Sequence, residues 1–320
     1  MHPAKSVILF TTASGAGYGL LAWLGCLAVV GLLPAGTAFI LVSFGLALGL
    51  VTVGLLSSTF HLGHPERAWR ALSQWRSSWL SREGVAALVA YAPAGLLAIA
   101  ALAGAGWPLL ALLGLLTIAA AAATVACTAM IYASLRAVPA WNDRLTLPGY
   151  LLFAAMTGAV LAHALLALWD EETALALGLI GAILCGAGAA LKRRQWHRID
   201  TRKADSTPET ATGLGGLGKV RLLEGPHTSP NYLMREMGFA VARKHAARLR
   251  TMALWLAFLI PALVLLVATL IPWPDLSLLL SLVAVVLAAV GIAIERWLFF
   301  AEAQHVVTLY YGGRIEPRSA

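Results

Sequence analysis

Charge is scarce in this chain. Only 12 % of its 320 residues are Asp, Glu, Lys or Arg, where a soluble domain carries about 25 %, while 60 % are hydrophobic and mean hydropathy is +0.80. So much apolar surface has no place in water, which excludes a soluble enzyme, a disordered chain and a nucleic-acid-binding module. Cysteine is scarce too. Cys26, Cys127 and Cys185 each stand inside an apolar run with no Cys-x-x-Cys spacing, so they offer no ligand set for zinc or an iron–sulfur cluster and read as buried bystanders. No cleavable leader is apparent either. The first apolar run, 7–33, outlasts the roughly 7–15 residues of a signal-peptide core and reads as a membrane span.

What the chain does have is a series of apolar stretches near the length of about 20 residues that crosses a bilayer. Eight are present, at 7–33, 37–60, 84–104, 107–135, 147–168, 173–191, 251–271 and 277–300. Turn-forming or polar breaks such as Pro34-Ala35-Gly36, Asp170-Glu171-Glu172 and Pro272-Trp273-Pro274-Asp275 separate them. The expectation is an all-α, polytopic integral membrane helix bundle: one transmembrane domain over 1–320, with eight transmembrane helices, an interfacial amphipathic helix and one long extramembrane loop at 192–250.

The net charge of +8 is explained by position. All 23 Lys and Arg fall on the N-terminus, the 61–83, 136–146 and 192–250 connections and the C-terminal end from Arg296, and the four opposite connections hold none. Those four carry Asp170, Glu171, Glu172 and Asp275. Leaving out the long loop, where the rule weakens, the split is still 10 against none. The basic side is therefore read as cytoplasmic, with both termini there and the bilayer taken as the plasma (inner) membrane. Trp107, Trp169 and Trp273 mark the acidic interface, and Trp69, Trp75, Trp79, Trp141, Trp196 and Trp297 the basic one. Over 65–80, Trp69, Leu72, Trp75 and Trp79 recur at helical spacing among Arg67, Arg70 and Arg76, the pattern of a helix lying on the membrane surface.

Ionisable groups within a bilayer are functional candidates by default. They are His61, Glu83, His163, Glu295, Arg296, Glu302 and His305, and all but His163 cluster at the basic side. His61 closes the second span and Glu83 opens the third, so the two share a depth, with the amphipathic segment roofing the pocket between them. A neutral imidazole accepts a hydrogen bond from a hydroxyl and then its proton, and a partly buried carboxylate passes that proton on. Oxidation of a membrane-dissolved hydroquinone needs such a pair. Read as structure alone, His61 caps a helix end and Glu83 enjoys a helix N-terminus. His64 is either a second site residue or an exposed interfacial histidine, and Arg67, Arg70, Arg76 and Arg82 suit lipid headgroups. A haem between His61 and His305 is geometrically open, but His163 has no histidine at matched depth.

Within the long loop, Lys192-Arg193-Arg194 reads as a membrane-surface anchor, and 232–250 has the apolar period of an amphipathic helix. The glycine-rich run from Gly213 to Lys219 has phosphate-loop spacing, but Val220 stands where Ser or Thr would hold magnesium. It reads as a turn.

The run His61-Leu62-Gly63-His64-Pro65-Glu66-Arg67-Ala68-Trp69, followed by Leu80-Ser81-Arg82-Glu83, resembles the DmsC family, the membrane anchor subunits of dimethyl sulfoxide reductase. The likeness extends to the eight spans and to Val138-Pro139-Ala140-Trp141 before the fifth. It implies an anchor with no haem or metal of its own, which oxidises menaquinol and feeds an iron–sulfur subunit that supplies a molybdopterin catalytic subunit. His61 and Glu83 fall on the family's quinol-site residues, and the neighbouring Arg67 and His64 complete the candidate binding set. The resemblance also implies exported partners and a site near the outer face. Charge puts this site in the cytoplasm, so either the partners are cytoplasmic or the family orientation overrides the charge rule. A transporter or a redox-inactive tether is the alternative class. Nearly absent midplane polar residues disfavour the transporter, and the His61 and Glu83 pair would be idle in a tether.

Overall fold

The computed structural model describes residues 4–60, 64–202, 206–224 and 245–311. Among these there is no strand, and eight helices are long and apolar enough to cross a membrane. They are α1 (Lys5–Val30), α2 (Thr37–Thr59), α3 (Trp79–Leu102), α4 (Trp107–Ala133), α5 (Thr146–Trp169), α6 (Glu171–Thr201), α8 (Ala246–Leu270) and α9 (Pro274–Ala301), with a short helix α7 (Pro208–Thr212) on the basic side. Even the 23 residues of α2 rise about 35 Å at 1.5 Å each, which exceeds the hydrocarbon core.

The ends are set locally. Gly31 leaves α1 in the left-handed region (φ 74°) and donates to the Ala28 carbonyl, a conformation that costs glycine nothing. Asp170 caps α6 by accepting from the Thr173 amide at 3.1 Å. Proline inside the first turn opens α4 and α9. In α8 a π-turn at Leu254–Leu259 precedes Pro261, the widened register sparing the proline ring a clash with the turn before it.

The helices close into two rings of four. α1 packs on α2 and α4, and α3 on both of those, while α5, α6, α8 and α9 repeat the arrangement. The rings join chiefly where α1 crosses α5, with α4 against α5 and α1 against α9 on either side. Most of α1 and α5 is buried, whereas less than half of each remaining span is. Small residues make this crossing possible. Gly19 on α1 packs directly on Ala154 and Gly158 of α5, and a Cβ on Gly19 would run into the Ala154 carbonyl, as one on Gly158 would into Gly19. The Trp23 indole pins the contact by donating to the Ala155 carbonyl at 2.8 Å. The outer faces carry Leu41, Val53, Leu88, Ile99, Leu112, Ile183, Leu263 and Val286, all exposed. Such a continuous apolar exterior is a lipid-facing surface.

Three local expectations are revised. The amphipathic helix expected over 65–80 is present but shorter and of 3-10 type, Pro65–Gln74, and it ends there because the Arg82 guanidinium takes the carbonyls of Trp75 (3.0 Å) and Arg76 (2.7 Å) that a continuing helix would need. The third span starts at Trp79, so Glu83 lies a turn inside it. α6 runs on through Thr201, which takes Lys192 out of the loop and into the bundle. The 232–244 part of the amphipathic loop helix lies outside the described residues.

Candidate functional site

Glu83 is the buried carboxylate of the first ring, only 5 % exposed. Ser78 caps α3, and its first turn is tied to the roof, with the Ser81 hydroxyl donating to the Ala71 carbonyl and Leu72 packed over Gly84. A carboxylate a turn further in is beyond the free amides of the helix end. It accepts instead from the Thr128 hydroxyl of α4 through Oε1. The arrangement suits a group that takes and gives a proton at the edge of the hydrocarbon.

The other candidates lie above it. His64 Nδ1 is 3.0 Å from Glu66 Oε1, and Arg67 Nε is 3.7 Å from the same oxygen. All three side chains are exposed on the roof, and neither His64 nor Arg67 is paired with Glu83. His61 lies outside the described residues.

A second buried charge cluster sits in the other ring. Glu295 of α9 holds Lys192 Nζ of α6 on one carboxylate oxygen and Arg296 Nε on the other, each at 2.5 Å. Glu295 is 0 %, Lys192 1 % and Arg296 5 % exposed. Lys192 also donates to Gln195 at 3.0 Å, and the Arg296 guanidinium lies 4.3 Å from the centre of the Tyr150 ring. Tyr132, Trp141, Tyr150, Phe299 and Phe300 form one aromatic cluster around it, with Trp141 Nε1 donating to the Phe299 carbonyl at 2.7 Å. Between the two charged centres is a cavity of about 30 Å³ bordered by Ser14, Tyr18, Thr128, Tyr150, Thr157 and Arg296, room for one or two waters. Toward the basic face, Arg250 is held by Asp200 at 2.5 Å and Glu302 at 3.0 Å, and Arg198 by Asp143 at 2.8 Å.

Two comparisons with known proteins bear on this arrangement. The family model of the DMSO reductase anchor subunit (DmsC) matches residues 1–312. The chain belongs to the DmsC family. It is also similar to a sulfite dehydrogenase subunit of Allochromatium vinosum, 38 % identical over 331 aligned positions that cover 97 % of this chain and 99 % of that protein. The DmsC resemblance carried by the sequence run from His61 to Glu83 thus extends over nearly the whole chain, and this DmsC member is a multi-pass membrane anchor.

His163 and His305 are each engaged within the bundle. His163, 1 % exposed, places Nδ1 2.8 Å from the Ala174 carbonyl and Nε2 3.0 Å from the Ser281 hydroxyl, and so ties α5 to α6 and α9. His305 Nδ1 accepts from the Val307 amide at 3.0 Å. The glycine run forms the left-handed cap of α7 at Gly213 (φ 69°) and one 3-10 turn, with the Val220 amide bound by Glu209 Oε1.

In sequence Lys192 reads as a surface anchor because Arg193 and Arg194 follow it. A signal for burial is nonetheless present. Cys185, Ala189, Lys192 and Trp196 recur at three- and four-residue spacing, and all four are buried. Tyr18, Thr128 and Tyr150 carry no such signal, since one hydroxyl in an apolar span is ordinary until its neighbours are known.

Proposed function

We propose that this chain is the quinone-reactive anchor of a molybdoenzyme complex. It oxidises menaquinol from the surrounding lipid and passes the electrons to an iron–sulfur subunit, which supplies a molybdopterin catalytic subunit. The observation that carries this reading is the Glu83 carboxylate, buried at the basic end of the first ring under a tryptophan-rich roof and held by Thr128. A carboxylate in that position is expensive unless it is used. His61 accepts the hydrogen bond and the proton of the quinol hydroxyl nearest the basic face, Glu83 relays the proton outward, and His64 and Arg67 help hold the ring from the roof.

The remaining parts of the reading follow from charge and ligand supply. The basic face is cytoplasmic, both termini lie there, and the bilayer is the plasma membrane. The chain is read as binding no haem or metal of its own: its cysteines have no ligand spacing, and His163 spends both ring nitrogens inside the bundle. One observation favours the reverse direction of electron flow: the Allochromatium relative is named for a dehydrogenase, and a site that takes protons from a quinol also returns them to a quinone.

The test is electron exchange between a menaquinol analogue and the assembled complex, run beside an artificial donor that bypasses the membrane. His61→Ala and Glu83→Gln should each abolish the quinol-linked rate and leave the artificial-donor rate intact. Full quinol activity in Glu83→Gln would remove proton relay from its role. Loss with both donors would mean that the substitutions act on assembly.

A further inference from the structure

At its acidic end, the ring of α5, α6, α8 and α9 holds a cavity of about 200 Å³, at the far end of the bundle from Glu83. His163 of α5, Ala174 of α6 and Ala268 of α8 are buried at its base, while Leu175, Pro272 and Pro274 stand exposed at its mouth.

Its hydrogen-bonding character follows from where each hydrogen goes. The Ser277 hydroxyl donates to the Ala268 carbonyl at 2.7 Å, and the Thr269 hydroxyl to the Leu266 carbonyl at 2.9 Å. Neutral His163 gives its Nδ1 hydrogen to the Ala174 carbonyl at 2.8 Å and turns Nε2 toward the Ser281 hydroxyl at 3.0 Å. Pro272 and Pro274 have no amide hydrogen, and the Ile271 amide is bound to the Val267 carbonyl at 3.1 Å. None of these groups has a hydrogen left to give. Acceptors remain, because a hydroxyl oxygen keeps a lone pair after donating and because α8 ends here, with the carbonyls of its last turn beyond the reach of helical amides.

Few ligands suit such a space. A cation needs a carboxylate beside it, since an unpaired buried charge is very costly, and no Asp or Glu borders the cavity. A ligand that offers only carbonyls meets only acceptors. Water takes about 30 Å³ per molecule and needs two to four polar partners, whereas Ala167, Leu175, Ala268 and Ile271 wall much of the space with hydrocarbon. A neutral hydroxylated ring satisfies both the walls and the acceptors. A cavity of roughly 150 Å³ takes one benzene, so the larger space here admits a ring with its hydroxyls, and the exposed Leu175 at the mouth leaves a tail in the lipid.

We propose that this cavity is a second quinol site, which binds the head of a membrane-dissolved hydroquinone through its hydroxyls in preference to the corresponding quinone. The choice of a quinol over other hydroxylated rings rests on the quinone-reactive reading of this chain. The site itself stands on volume and hydrogen-bond supply, whatever Glu83 does.

The experiment uses the whole complex in lipid nanodiscs and a diazirine-bearing 2,3-dimethyl-1,4-naphthoquinone, held reduced by dithionite in one arm and oxidised by ferricyanide in the other. Labelled residues are found by peptide mass spectrometry. The reduced probe should label residues of the cavity at least about ten times as strongly as the oxidised one, a factor that one or two hydrogen bonds supply. Leu175→Trp closes the mouth at an exposed position and Ala268→Leu fills the base. Each should lower the cavity labelling about tenfold in complexes shown by size exclusion to be assembled. Equal labelling by the two redox forms, or labelling that survives both variants, overturns the site, as does a cavity that takes no probe and so holds water alone. Glu83→Gln should leave the cavity labelling intact, and its loss there would show that the label reports the first ring and overturn a second site. If the cavity is labelled as expected while Glu83→Gln keeps full quinol turnover, this site stands and the Glu83 reading falls.

Discussion

Replacing Glu295 should damage the bundle far more than replacing Lys192, although the two form one ion pair. Glu295 is the single anion between two cations, both at 2.5 Å and all three within 5 % exposure. Lys192→Met leaves the Glu295 and Arg296 pair balanced and loses the hydrogen bonds of one ammonium, about 1–3 kcal/mol. Glu295→Gln leaves two uncompensated cations facing each other inside the bundle, and breaking a buried pair in that way costs about 3–5 kcal/mol. The double variant Lys192→Met/Glu295→Gln leaves only one cation, which still lies over the Tyr150 and Phe299 rings. It should therefore be more stable than Glu295→Gln alone. The measurement is the thermal midpoint of the detergent-purified protein followed by thiol-reactive dye. The expected order is wild type, Lys192→Met, the double variant and then Glu295→Gln, with the last two several degrees apart at about 2–4 °C per kcal/mol. Additive losses, with the double variant lowest, would refute the reasoning that charge balance controls this cluster.

Reporter fusions after Ala140 and Thr207 should read cytoplasm, and those after Ala35 and Glu172 the outside, as the 23-to-none charge split requires; the reverse pattern would overturn the orientation and leave the eight spans standing. Gly158→Val should separate α1 from α5, because its side chain would occupy the space of the Gly19 backbone, and the chain should insert but be cleared by proteolysis, whereas Gly45→Val, which meets nothing, should accumulate normally. Trp141→Phe removes the bond to the Phe299 carbonyl and should lower the thermal midpoint by an amount corresponding to about 1 kcal/mol, and an unchanged midpoint would show that the carbonyl finds another donor.

The spans, their number and the side on which the basic residues collect were legible in the sequence, because each depends on quantities that are local along the chain: the length of an apolar run and the position of a charge relative to it. The run from His61 to Glu83 was legible for the same reason, as a motif contiguous in sequence. Ring closure was not. Which helix touches which depends on where small residues let two backbones approach, and Gly19 and Gly158 acquire that meaning only when α1 and α5 are brought together. Depth misled at the edges of the spans. Arg82 draws the carbonyls of Trp75 and Arg76 onto itself and shortens the roof, so Glu83 ends up inside a helix and not at its tip. Lys192 looks solvated beside two arginines, yet its phase on α6 turns it inward to Glu295, more than a hundred residues away in sequence. Composition and pattern thus determined that the chain crosses the membrane eight times and where its charge lies. Only tertiary packing decided which polar groups share an interior, since in a bilayer a hydroxyl or a charge is stabilised by the neighbour that satisfies it and by nothing local to its own span.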